Sequence, residues 1–147
     1  MNTYIGTKII NAEPSPAPRD IGEYEEGDEG YKVKYEDGYM SWSPKVVFEN
    51  AYKRTNNMNF GLAIEAMKKG YKVQRKGWNG KGMWLILVTG TTGCTPLIGS
   101  PYSNAGLANE IDINPHIDMY TAQGDMQPGW LASQSDMLAN DWCIVDD

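Results

Sequence analysis

Short stretches of alternating apolar and polar residues run through most of this chain, interrupted twice by helical spacing. Tyr4, Ile5, Ile9 and Ile10 alternate weakly over the first ten residues and predict an edge strand. Tyr31-Lys32-Val33-Lys34-Tyr35 has period two, Asp37-Gly38 supplies a tight turn, and Tyr39-Met40-Ser41-Trp42 returns as the second arm of a hairpin. Ser43-Pro44 then reads as an N-cap followed by proline at the first helical position, opening a short helix through Val46, Val47 and Tyr52. Between strand and hairpin, residues 11–30 are rich in Pro, Glu, Asp and Gly. Pro14, Pro16 and Pro18 stand at alternate positions, and the stretch reads as a loop or extended linker.

Asn56-Asn57 marks a boundary. A fresh helix begins near Asn59, with Phe60, Ala63, Ile64 and Met67 on one face, Lys68 and Lys69 in its last turn, and Gly70 as terminator. Strands follow over residues 71–75 and 83–88, joined through the turn dipeptide Asn79-Gly80. Residues 90–109 are polar and glycine-rich and read as a long loop. One or two strands are predicted over residues 111–120, a turn at Gln123-Gly124-Asp125, and another strand over residues 129–132. A single helical turn around Met137-Leu138 is capped by Ser133 or Ser135, and residues 142–145 form the closing strand. The expected class is α+β: an antiparallel sheet with one early helix packed on it, plus a small N-terminal hairpin and helix module. The expected division is 1–57 and 58–147, and the chain shows no internal repeat.

Composition narrows the function classes. The formal net charge is −6, and each half is acidic, which disfavours binding along nucleic-acid phosphates. The basic residues of the second half all lie between Lys68 and Lys81, so a local anion site is compatible with the acidic whole. Two cysteines far apart and one histidine are too few for a Cys/His zinc site. The start Met1-Asn2-Thr3-Tyr4 lacks a signal pattern, and the longest apolar run, residues 83–88, is too short to span a bilayer; a cytoplasmic, reduced, soluble protein is expected. No cofactor and no metal site is expected.

The candidate chemistry is concentrated in Gln74-Arg75-Lys76-Gly77-Trp78-Asn79-Gly80-Lys81-Gly82-Met83-Trp84. Cations beside indoles and backbone-exposing glycines suit a phosphorylated, base-bearing small molecule. Arg75, Lys76 and Lys81 are candidate phosphate contacts, although a solvated strand end is the commoner fate of such a triplet. Trp78, between Gly77 and Asn79, is the stacking candidate; Trp84, inside the apolar run, reads as core. The glycines match neither the dinucleotide fingerprint nor the P-loop. His116 and Asp118 lie two apart and share a face of a strand, either as an acid/base pair or as a histidine satisfied by a carboxylate or backbone group. Ser133, Ser135 and Asp136 can bond a ligand or cap the short helix. Asp118 and Asp136 are weak evidence for a cation site.

Three stretches together carry a resemblance: Met58-Asn59-Phe60 through Met83, Pro115-His116-Ile117-Asp118-Met119, and Pro128-Gly129-Trp130 through Asp141-Trp142. They closely resemble a family of small phage and prophage proteins that includes the second type of Thoeris anti-defence protein. That resemblance implies a non-catalytic sponge, which sequesters a cyclic ADP-ribose-type signalling nucleotide (glycocyclic ADP-ribose) made by bacterial TIR enzymes inside the infected cell. It further implies a homo-oligomer, taken as a tetramer, with ligand between subunits. Carried over residue by residue, the ligand-binding positions are Arg75, Lys76, Gly77, Trp78, Asn79, Lys81, Met83, Pro115, His116, Asp118, Trp130, Ala132, Ser133 and Asp136. Residues 1–57 form an extension to the family pattern, and residues 90–109 are its least family-like part. Other readings remain open: sequestration of other cyclic nucleotides or dinucleotides, a nucleotide-cleaving enzyme using His116, or a phage protein-interaction module.

Overall fold

The computed structural model describes residues 1–78 and 82–145 and divides the chain into two compact units, Met1–Arg54 and Thr55–Asp147. Mixed helices and antiparallel sheets make it α+β, as the patterning predicts.

In the first unit, strands β1 (Asn11–Pro14), β2 (Gly30–Lys34) and β3 (Met40–Pro44) form an antiparallel sheet in that order. The hairpin β2–β3 turns at Gly38, whose φ of +85° suits glycine. The expected edge strand over residues 1–10 is absent. The edge strand lies instead in the presumed linker, because alternate prolines are compatible with an edge. The amides of Ser15 and Ala17 donate to Gly30 and Asp28 carbonyls at 2.9 and 2.8 Å. Pro14, Pro16 and Pro18 interleave with these two donors, so the missing N–H groups do not interrupt the bonds to the neighbouring segment.

The expected cap of helix α1 (Lys45–Ala51) also shifts. Pro44 occupies the N-cap position and no side chain caps the helix, because Ser43 remains in the ladder opposite Tyr31. The inward face of α1 is Phe48, whose ring stacks between those of Tyr31 and Tyr52, while Val46 and Val47 are exposed.

The second unit is built on helix α2 (Phe60–Lys68), which starts and stops where its sequence signals place it. The Asn59 side chain accepts from the Leu62 amide at 2.9 Å, and Gly70 follows the helix at φ +91°. Ala63, Ala66 and Met67 bury one face against a five-stranded antiparallel sheet. Its strands are β4 (Val73–Arg75), β5 (Trp84–Val88), β8 (His116–Tyr120), β9 (Met126–Gln127) and β10 (Trp142–Ile144), in the order β10-β4-β5-β8-β9. Residues 55–58 add to this unit at the β10 edge: Met58 bridges Trp142, and the Ile144 amide donates to the Thr55 carbonyl.

Register sorts the sheet residues into two faces. Val73 pairs with Leu85, Ile144 with Val73, and Trp142 with Arg75; with Leu87, Ile117 and Met119 these lie on the α2 face. Gln74, Cys143, Trp84, Ile86, Val88, His116, Asp118 and Tyr120 therefore lie on the other. Trp84 is thus half-buried on the face away from the helix. It stacks on its cross-strand partner Tyr120 at 4.8 Å between ring centres, which corrects the core reading.

Residues 90–109 are more ordered than expected. Strands β6 (Thr91–Cys94) and β7 (Ile111–Ile113) pair with each other beyond the β5–β8 hairpin, and a helical turn, α3 (Pro101–Asn104), lies between them. Gly90 joins β5 to β6 with φ +83°, and a side chain there would run into the Ile113 carbonyl. The expected strand over residues 129–132 does not form. Gly129 turns at φ +77°, and the Trp130 amide donates to the Ile117 carbonyl at 2.7 Å. The chain then enters the short helix α4 (Gln134–Met137).

Candidate functional site

Arg75 closes β4 on the face that Val73 buries. A guanidinium placed there must find acceptors, and two carboxylates brought in from the C-terminal segment provide them. Arg75 Nη1 donates to Asp136 Oδ1 at 2.8 Å and Nε donates to Asp141 Oδ1 at 2.9 Å, with the arginine side chain 17% exposed. The carboxylates raise the arginine further above its ordinary value, Asp141 contributing most. One cation between two anions leaves a net negative charge, so Arg75 offers no surplus positive charge to a phosphate. It is neither the solvated strand end nor the free anion grip that the sequence suggests.

Asp136 is the hub of this cluster. Its Oδ1 also accepts from the Trp78 indole at 3.3 Å, and its Oδ2 accepts from the Ser133 amide at 3.0 Å and hydroxyl at 2.7 Å. Its amide donates to Ser133 Oγ, completing a capping box on α4, and its carbonyl accepts from the Trp142 indole at 2.9 Å. Burial by itself would raise the Asp136 carboxyl. The hydrogen bonds from Ser133 and Arg75 outweigh it and hold the group at about 2. Asp141 is lowered by the Arg75 bond first and by the Gly77 amide as well.

Three indoles pack around this hub edge to face. Ring centres are 5.4 Å apart for Trp78 and Trp142, 6.0 Å for Trp78 and Trp130, and 6.2 Å for Trp130 and Trp142, with Phe60 against the last two. Trp142 is fully buried, whereas Trp78 and Trp130 keep part of their surface open. The fold thus brings together Arg75, Gly77, Trp78, Trp130, Ser133 and Asp136 of the sequence-derived set. Ala132 is half-buried just before the cap, and Lys76 is exposed in the 3-10 turn Lys76–Trp78.

His116 and Asp118 belong to a different place, the opposite face of the sheet. His116 Nδ1 donates to the Asn114 carbonyl at 2.9 Å, and Nε2 lies 3.5 Å from Asp118 Oδ1, which accepts from the Gly129 amide at 3.0 Å. The histidine is satisfied at Nδ1 by a backbone group and has a carboxylate beside its other nitrogen, the blander of its two readings. Pro115 is exposed between β7 and β8, and Met83 is half-buried ahead of β5. Asn79 and Lys81 lie outside the described residues. Among the described residues no group of three or more His, Cys, Asp or Glu is placed to hold a metal, and no helix is long and apolar enough to cross a membrane.

Sequence reasoning left Asp141, Trp142 and Phe60 out of the site. A usable signal was present: Arg75 shares strand parity with the apolar Val73, and an arginine on a core face calls for an acid from elsewhere.

Two comparisons bear on this unit. Residues 58–145 match the family model described as the Thoeris anti-defense 2-like domain. Over 88 residues the chain is 36% identical to Thoeris anti-defense 2 of Bacillus phage SP01, an alignment covering 60% of this chain and 94% of that protein.

Proposed function

The chain belongs to the Thoeris anti-defense 2-like family through residues 58–145, and on that premise we propose that it is a phage anti-defence protein acting by sequestration. In this reading it binds a cyclic ADP-ribose-type nucleotide in the host cytoplasm, leaves it chemically intact, and so keeps the Thoeris effector unswitched. The observation that carries the reading is the indole cluster. Trp78 and Trp130 retain open surface while their edges are fixed by Trp142, Phe60 and Asp136. A rigid aromatic pair binds a base with little ordering cost.

Two groups considered for attack on a nucleotide, Ser133 and His116, are held away from that role. The Ser133 hydroxyl is held in the capping box, donating to the Asp136 carboxylate and accepting from the Asp136 amide. His116 is bonded at Nδ1 to the Asn114 carbonyl and lies across the sheet from the indoles. Binding without turnover is what such an arrangement favours. Association into a homo-oligomer, a tetramer in this reading, is part of the proposal. The half-buried Trp84, Ile86 and Val88 on the face away from α2 are a surface that association would cover.

The test is calorimetric titration with glycocyclic ADP-ribose, other cyclic ADP-ribose isomers and cyclic dinucleotides. Hours of incubation with excess protein, heat denaturation and chromatography of the supernatant complete it. Saturable binding and quantitative return of the starting compound are expected. A hydrolysed product that disappears in His116→Ala would make the protein an enzyme, and no binding of any nucleotide would end the reading.

A further inference from the structure

Asp141 reaches into the first turn of the segment that carries Trp78. Its backbone carbonyl accepts from the Lys76 amide at 3.2 Å, its Oδ2 accepts from the Gly77 amide at 2.8 Å, and its Oδ1 accepts from Arg75 Nε at 2.9 Å. One residue therefore engages three successive residues, 75, 76 and 77, from 64 to 66 positions away in the chain. Gly77 fits this contact sterically. A Cβ there would lie 2.9 Å from Asp141 Oδ2 and 3.2 Å from Arg75 Nη2, closer than ordinary packing allows. The indole of Trp78, next in the chain, is in turn fixed at its Nε1 by Asp136, the other carboxylate on Arg75.

We propose that Asp141 is a positioning residue of the binding site: it holds the Lys76–Trp78 turn in its ligand-ready form before ligand arrives, without touching ligand itself. This rests on the sequestration reading. A carboxylate is required rather than any acceptor, because its two oxygens face a cation and an amide in fixed directions. An amide side chain offers one acceptor oxygen and turns an N–H toward the remaining donor. Preorganisation of this kind contributes to affinity by removing an ordering cost from the binding step.

The experiment uses the full chain with Asp141→Asn and, as a second perturbation from the other side of the contact, Gly77→Ala. Amide hydrogen exchange read by NMR should show the amide at position 77 exchanging at least about tenfold faster in each variant, with the Leu85 amide in the core unchanged. Affinity for glycocyclic ADP-ribose should fall by about tenfold or more in both variants. In a Trp78→Ala background the loss caused by Asp141→Asn should shrink to roughly twofold or less, as expected of a residue acting through the turn. Unchanged exchange at position 77, or faster exchange with unaltered affinity, would overturn the proposal. Full additivity with Trp78→Ala would also overturn it, since Asp141 would then act independently of that indole. If the wild-type protein binds neither glycocyclic ADP-ribose nor any other nucleotide of the panel, the nucleotide reading falls. The exchange data then decide by themselves whether Asp141 holds the turn.

Discussion

Arg75 and Asp136 meet at 2.8 Å across 61 residues of sequence, joining the end of β4 to the capping box of α4. The bond ties the second unit's first half to helix α4 and shares its acceptor, Asp136 Oδ1, with the Trp78 indole. Because the pair is largely withdrawn from water, its worth lies in both partners being present. Loss of one strands the other.

Arg75→Ala should therefore destabilise the protein by about 3 kcal/mol, leaving two carboxylates facing each other without a counterion. Arg75→Lys should recover only part of this, since an ammonium cannot reproduce two separately directed guanidinium bonds. Urea unfolding of the full chain measures both, and a midpoint for Arg75→Ala equal to wild type would show that the cluster contributes no stability.

Acid should weaken the fold in a defined window. The Asp136 carboxyl ionises at about 2 in the folded protein against 3.8 ordinarily. A carboxyl lowered on folding stabilises the fold while ionised, so its contribution is complete above the ordinary value and drains away as pH falls towards 2. The amount at stake is roughly 2 kcal/mol, and Asp141 adds in the same direction. Stability followed from about pH 6 down to pH 2 should fall less steeply for Asp136→Asn than for wild type. Parallel curves would contradict the assignment.

Trp78→Ala should weaken nucleotide binding by about 1–3 kcal/mol, the range for loss of a base–aromatic stack. Because Trp78 also packs on Trp130 and Trp142, some loss of melting temperature should accompany it. Trp78→Phe restores a ring without the indole N–H that Asp136 accepts and should recover much of the affinity. Calorimetry on the two variants separates stacking from packing; equal affinity in Trp78→Ala and wild type would remove Trp78 from the binding surface.

Thr55–Asp147 should fold without the first unit. The Ile144 amide donates to the Thr55 carbonyl and Met58 bridges Trp142, so a chain beginning at Thr55 keeps the edge of its sheet. One beginning at Met58 loses the Thr55 bond, a difference of about 1 kcal/mol. Thermal melts of both, beside the full chain, provide the check, and failure of the longer piece to fold would show that residues 1–54 are needed.

Helix α2 was readable because its cap, apolar stripe and terminating Gly70 are all local. The β2–β3 hairpin was readable for the same reason, its turn being set by Asp37-Gly38. Family resemblance likewise lay in the linear motifs. Edge strand β1 was missed because proline reads as a breaker unless the side on which each N–H points is known, and pairing decides that. The apolar run leaves the side of Trp84 open because it does not say which face a helix covers.

Linear signals along the chain were enough for the α+β class, the element order around α2 and the membership of residues 58–145 in their family. Folding in three dimensions was needed to set His116 and Asp118 on one face of the sheet while Arg75, Trp78, Trp130, Ser133 and Asp136 gather on the other. It also brought in Asp141, which lies in a family motif but is absent from the sequence-derived binding positions. The difference is one of range. Capping, turn and amphipathic signals act over a few residues, whereas a charged side chain is committed by partners that strand order and register deliver from more than sixty residues away.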